Sequence, residues 1–585
     1  MTTTRMAALL LLAASGFLKA QTVCAPVPRY SPCDLVFEIA GVTPGSALAL
    51  QAEFRSPRHE TALVRAVWDG GPKWLIRYTP AEAGEYTFRL TSSQPDFNGK
   101  EGHFTATGND KPGWLRAANL HHFAFAEGNA LTPHLWMGGV VEGFPRMDAA
   151  RWKALVDTRA AQHFNHLAVT LVDDAGLSFK DPAFFRAAEE KLRYANERGI
   201  IVDVAFFAGD SLMNRLLPSH ADREQWFTYM CSRLAAFDVT WQGLEAWETY
   251  DNGRELLKEI AGYLAALDPY KHTRSSRTSL TSGPLADDGW LRYRSYQTAD
   301  EQIGAVVIGA IDQQIYTFPA VNNFGIGAPS ADEFRHRLWR SATNGQYPAT
   351  VVPNEQAAAS MKVWYEFMAG TRHWELEPFF DIENGRGVGL EGVEYVVYVE
   401  KPGPVTVNVE KQGYDVEWLN PLNGERTRVK EKGKNEVVTF TPPDLSHDWV
   451  LHMSKEGRKA SMLRSVRFDS REPALALQDV EGNPDKVPFE IMEPAGDTLS
   501  LSKPAAFSVK LKRQSKALQN MAYEWTGEVT AGERSYRVLG TGPSGTFIIP
   551  ANIAPDYPAA LHIKLVGMNG LGKVYIVDRN YTLTR

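Results

Sequence analysis

Two carboxylates close an apolar, aromatic run at Val239-Thr240-Trp241-Gln242-Gly243-Leu244-Glu245-Ala246-Trp247-Glu248-Thr249-Tyr250. Carboxyl groups working in pairs cleave acetals. One protonates the leaving oxygen, and the other attacks the anomeric carbon or activates water. A separation of about 5–5.5 Å gives retention and a wider one inversion. Strand alternation puts Trp241, Gly243, Glu245 and Trp247 on one face, where indoles would stack on a sugar ring and Glu245 would reach its bond. Glu248 falls on the other face or on a loop, so Glu245 and Glu248 are alternatives for the acid/base. Asp210, Asp174 and Glu355 are candidate partners. Trp247, Tyr250, Tyr296, Gln297, Asn322 and Asn323 are candidate substrate-binding residues. The stretch Ile315 to Asn323 ends in two asparagines, and no Asp or Glu lies between Asp312 and Asp332. Each carboxylate also has a plainer reading as a solvated loop charge or a helix cap. Asp251-Asn252-Gly253 reads equally well as a turn.

Other chemistries find little support. His121 and His122 are adjacent and would point to opposite faces of a strand, so they are poorly placed to chelate one ion. There is no HExxH, CxxC or phosphate-binding glycine loop in its required context. No cofactor is expected.

These residues need a scaffold. Between about 117 and 370, strand and helix patterns alternate. Strands are expected to end near Gly138, Leu171, Phe207, Glu245, Thr278, Gln297, Asn322 and Val352. Asp181-Pro182 is an N-cap followed by Pro at the first helical position, and Gly199 closes that helix. Phe185, Ala188, Leu192 and Ala195 form its buried stripe, as Leu256, Leu257, Ile260 and Leu264 do in a later helix. Eight strands over this length predict a (β/α)8 barrel with its site at the C-terminal ends of the strands. The flanking sequence alternates in the β manner. The expected organisation is a signal peptide over 1–20, a β-sandwich over 21–112, the barrel over 113–375 and a second sandwich over 376–455. A linker over 456–486 and an immunoglobulin-like β domain over 487–585 complete it.

The chain has 585 residues, more than one core accommodates. A net charge of −7 with both signs interspersed argues against nucleic acid as a partner. Arg5, the apolar run Met6 to Leu18 and Leu18-Lys19-Ala20 read as a secretory signal peptide, which predicts a secreted or periplasmic protein. No later run is long and apolar enough to span a membrane. Of the three cysteines, Cys24 and Cys33 are expected to form a local disulfide. Cys231 is expected to be a buried, inert thiol.

Several stretches resemble one family of exported bacterial proteins. Tyr30-Ser31-Pro32-Cys33-Asp34-Leu35, Val67-Trp68-Asp69-Gly70 and Trp74 to Pro80 are similar to an uncharacterised N-terminal sandwich that precedes glycosidase-like barrels. Leu135-Trp136-Met137-Gly138, Ala161 to Asn165 and Leu267 to His272 resemble an apiosidase-like barrel of the glycoside hydrolase superfamily. Trp418 to Gly424 and Asp448-Trp449-Val450-Leu451 resemble a sandwich labelled "putative collagen-binding domain". The resemblance implies a carbohydrate-active barrel. Such barrels carry an Asp after the first strand, where Gly139-Val140 stands here. They also carry a fourth-strand acid at the position of Ala246, one residue past Glu245, and a seventh-strand acid near Asn322 and Asn323. Two functions therefore stay open: a glycoside hydrolase, and a non-catalytic carbohydrate- or matrix-binding protein on a degenerate barrel.

Overall fold

The computed structural model describes residues 26–39, 49–119, 121–174, 178–250, 252–279, 281–283, 285, 289–299, 318–379, 381–430, 436–464, 480–515, 518, 521–531, 533–549, 559–569 and 573–585. The expected signal peptide, Cys24 and Asp251 lie outside the described residues. Contacts divide the chain into two compact units, one of residues 1–111 with 232–236 and one of the remainder.

In the first unit, five strands pair in the order 27–28, 101–107, 84–92, 50–55, 61–65, and three more in the order 33–38, 73–78, 67–68. Cys33–Glu38 and Gly84–Ser92 bury alternate residues, as strands with one wet face do. Phe54 stacks on Tyr78 at 4.2 Å between ring centres. Cys33 is disulfide-bonded.

The second unit is built around a parallel sheet. Its strands are β1 (Gly138–Val140), β2 (His166–Val172), β3 (Ile201–Phe207), β4 (Val239–Trp241), β5 (Arg294–Tyr296), β6 (Ala320–Asn322) and β7 (Gln346–Thr350). They pair in the order β4-β3-β2-β1-β7-β6-β5, every neighbour parallel. Helices α1 (Ala149–Ala161), α2 (Pro182–Asn196), α3 (His220–Leu234), α4 (Gly253–Leu267), α5 (Ala331–Thr343) and α6 (Glu355–Met368) alternate with them. Asp181 caps α2 by accepting from Ala183 N, and Phe185, Ala188, Leu192 and Ala195 are buried along one stripe. Burying each large apolar side chain of such a stripe contributes roughly 1.5–3 kcal/mol.

Two differences from the expected strands matter for function. Residues 130–134 pair antiparallel with 123–127 as a hairpin, so the chain joins the parallel sheet only at Gly138, where the first strand was expected to end. The strand expected to end near Thr278 is reduced to one parallel bridge, Trp241 to Arg274.

Beyond the central sheet, six strands between 377 and 455 face three others, and a six-stranded and a three-stranded sheet follow between 480 and 584. Trp339 and Trp364 of α5 and α6 share a core with Tyr398, Leu419 and Val450. A buried ion pair joins the same elements. Arg335 Nη2 lies 2.7 Å from Asp448 Oδ1, and the Tyr398 hydroxyl donates to Asp448 Oδ2 at 3.0 Å. Burial would raise the Asp448 carboxyl, but His336 and Arg335 outweigh it and hold the group well below the usual carboxylate range. Cys231 is free and buried, and that burial pushes its thiol up. Among the described residues no helix is long and apolar enough to cross a membrane.

Candidate functional site

A cleft of about 660 Å³ opens at the C-terminal ends of the parallel strands. Glu142 follows β1, Asp173 follows β2, Glu245 follows β4, and Asn323 follows β6; all four line it, together with Gln297 and Arg277.

The path of the chain after β4 explains how Glu245 gets there. Trp241 turns outward, its Nε1 donating to Asp268 Oδ2 at 2.9 Å. Gln242 faces inward, in a smaller space beneath the cleft. Gly243 then takes φ 47°, where a Cβ would stand 2.6 Å from Leu257 Cδ2, and Ala246 takes φ 46°. This left-handed pair breaks the two-residue alternation. Glu245 is thereby parted from Trp241 and Trp247 and aimed into the cleft. Alanine in that region is strained, and such strain concentrates at functional positions.

Glu245 is about a third exposed and sits in a closed triangle. Thr170 Oγ1 donates to its Oε2 at 2.5 Å, Arg277 Nη2 lies 3.1 Å from its Oε1, and Arg277 Nη1 donates to Thr170 Oγ1 at 2.9 Å. Each carboxyl oxygen thus has a partner of its own. Asp173 pairs with Arg146 at 3.0 Å. Three carboxylates against two guanidiniums leave one negative charge in excess, a setting suited to a neutral, hydroxyl-rich ligand.

The other expected residues are distributed as follows. Glu248 turns away from the cleft and accepts from the Thr278 hydroxyl and from Ser279 N at 3.0 Å. Asp210 is exposed with φ 55°, and its N donates to Thr249 Oγ1. Asp174 is an exposed partner of Arg215 at 2.9 Å. Glu355 accepts from Gln162 at 2.9 Å. Trp247 is buried and lies outside the lining. Tyr250 is buried too, donating to Ala208 O, and burial pushes its hydroxyl up to about 12. Tyr296 borders only the smaller space, its oxygen accepting from Arg294 at 2.8 Å.

The asparagines divide their work. Asn322 faces outward and donates to Ser341 and Gln346 at 3.1 Å. Asn323 faces the cleft, donating to Gln297 Oε1 at 3.0 Å and accepting from Val351 N at 2.9 Å. Beside it, Gly325 forms part of the wall, and a Cβ there would lie 2.0 Å from Val351 O. No aromatic side chain lines the cleft among the described residues. No group of three or more metal-ligating side chains occurs among them either.

Comparison with known proteins bears on this arrangement. Residues 26–93 match the family described as "Domain of unknown function (DUF5060)", and residues 390–454 match "Putative collagen-binding domain of a collagenase". The chain is similar in structure to a "putative glycoside hydrolase" of Bacteroides vulgatus, with TM-score 0.61 and 19% identity over 74% of this chain and 99% of that one. A family 5 glycoside hydrolase of the same organism gives TM-score 0.52 and 14% identity over 62% and 96%. The likeness is one of fold, a central parallel β/α region flanked by β-sheet domains. No curated protein matches the sequence. Against that fold, Glu142, Thr170 and Arg277 are cleft residues that sequence reasoning missed. Thr170 carried a signal, since the inward alternation of β2 runs through Ala168 to Thr170. Glu142 became visible once β1 was seen to begin at Gly138. Arg277 lies in irregular chain with no periodic cue.

Proposed function

We propose that this protein is an exported glycoside hydrolase acting on a polysaccharide or glycoside, built on a (β/α)8 barrel of the apiosidase-like type whose fifth strand is reduced to the Arg274 bridge. The convergence of Glu245, Glu142 and Asp173 on one cleft at the C-terminal strand ends carries this reading, because cleavage needs more than one carboxyl at that rim. Glu245 acts on the reacting centre, while Asn323 and Gln297 offer amides to sugar hydroxyls. The N-terminal apolar run and the bonded Cys33 support export to an oxidising compartment. A screen of plant and bacterial polysaccharides for reducing-sugar release tests the proposal. Release by the wild type that Glu245→Gln abolishes is expected, and release that survives the change sinks the site assignment.

A second reading, carbohydrate binding without turnover, has its own support. Arg277 and Thr170 occupy both Glu245 oxygens, and an amide, Asn323, stands at the end of β6. Saturable oligosaccharide binding with no release would favour it.

A further inference from the structure

A smaller space of about 30 Å³ lies beneath the cleft. Val140, Arg277, Gln297 and Asn323 line both, so the space opens from the cleft floor. Gln242 lines only the deeper space and is 2% exposed. Its Nε2 donates to the Tyr293 hydroxyl at 3.2 Å, and that hydroxyl meets Thr240 Oγ1 at 3.2 Å, which fixes the amide from behind. Its Oε1 is buried and has no hydrogen-bond partner among the described residues. The other polar groups of the lining are engaged: Arg277 with Glu245, Thr278 with Glu248, Ser295 with Ser275, Tyr296 with Arg294, and Gln297 with Asn323. A buried acceptor left unpaired is costly and rare. One that lines a space open to the cleft points to a ligand group that completes it. A water-sized group needs about 10–15 Å³ of such a space, so about two fit. The sides, Val140, Ala168, Val321 and Ala349, are apolar. A water would face those sides and one unpaired acceptor, whereas a buried water makes about three hydrogen bonds. An apolar group followed by a hydroxyl matches the space better.

We propose that this space is a subsite for the exocyclic hydroxymethyl arm of a hexopyranose seated in the cleft. The hydroxyl of the arm donates to Gln242 Oε1, and its methylene lies against the apolar sides. The proposal deepens the carbohydrate reading above and rests on it. A pentopyranose presents the same ring without the arm, and leaves both the acceptor and the space unfilled. A uronic acid would set a carboxylate against the amide oxygen, beneath a cleft already rich in carboxylates. The subsite therefore selects neutral hexopyranosides.

The test measures dissociation constants by saturation-transfer NMR for methyl pyranosides in pairs that share a ring configuration and differ by the arm. The pairs are glucose with xylose, galactose with L-arabinose, and mannose with lyxose, in matching anomers. In at least one pair the wild type should bind the hexoside at least about tenfold more tightly, the lower end of what one buried group discriminates. Gln242→Met keeps the length of the side chain and removes the acceptor, and Ala168→Val fills part of the space. Each should bring the ratio to about threefold or less. Near-UV circular dichroism verifies folding, and a variant that misfolds leaves the other to decide. A smaller wild-type ratio in every pair, or one that either folded variant keeps, overturns the subsite and leaves the carbohydrate reading standing. No binding by any pair also overturns the subsite. Joined to an absence of reducing-sugar release and of oligosaccharide binding, it overturns the carbohydrate reading as well.

Discussion

Arg277→Met keeps the alkyl stem of the side chain and removes the charge that Glu245 faces. The guanidinium lies 3.1 Å from Glu245 Oε1, with side-chain exposures of 16% and 33%. At an effective dielectric constant near 20, two unit charges about 4 Å apart attract by about 4 kcal/mol. Water reaches a third of Glu245, so most of that is screened. Exposed pairs measure about 0.2–1 kcal/mol and broken buried pairs about 3–5 kcal/mol, which places this pair at about 1–2 kcal/mol. A double-mutant cycle of Arg277→Met with Glu245→Gln, read from denaturant midpoints at constant m-value, isolates the coupling. A coupling below about 0.3 kcal/mol would mean that Arg277 does not hold Glu245, and the reading of Glu245 as a side chain fixed in the cleft by its neighbours would fail.

Further outcomes follow from the fold. Asp448→Ala leaves the buried Arg335 guanidinium with only the exposed Asp332 carboxylate and strands the Tyr398 hydroxyl, and should cost about 2–4 kcal/mol in thermal or chemical unfolding, below the full cost of an uncompensated buried charge. Because the folded Asp448 carboxyl lies below its unfolded value of about 3.9, its stabilisation is present above that pH and is lost as pH falls through the folded value. Asp448→Asn should therefore flatten the acid limb of a melting-temperature profile. Gly325→Ala forces a Cβ onto Val351 O, so a destabilisation of about 1–3 kcal/mol with weakened oligosaccharide binding is expected; unchanged melting and affinity would contradict the described wall.

Much of the central region was legible because its signals are local. Phe185, Ala188, Leu192 and Ala195 recur at helical spacing behind an Asp-Pro cap, and the structure buries them together. The alternation of such helices with apolar strands carries the parallel β/α region, and β-alternation carries the flanking sheets. The site was less legible because backbone conformation decides it. Nothing in the letters Gly243 to Ala246 announces two left-handed residues, yet those turns separate Glu245 from Trp247. The hairpin at 123–134 draws its pairing from tertiary context, delays β1 and so places Glu142 at the rim. Thr170 and Arg277 meet Glu245 from segments 75 and 32 residues away in sequence, and no local pattern reports such a meeting.

The most direct test of the central claim is a crystal structure of the Glu245→Gln variant soaked with an oligosaccharide taken from the polysaccharide screen. The account predicts a sugar in the cleft between Glu142 and position 245, with hydroxyls on Asn323 and Gln297. An empty cleft, with the sugar held instead by the sandwich of residues 377–455, would contradict it.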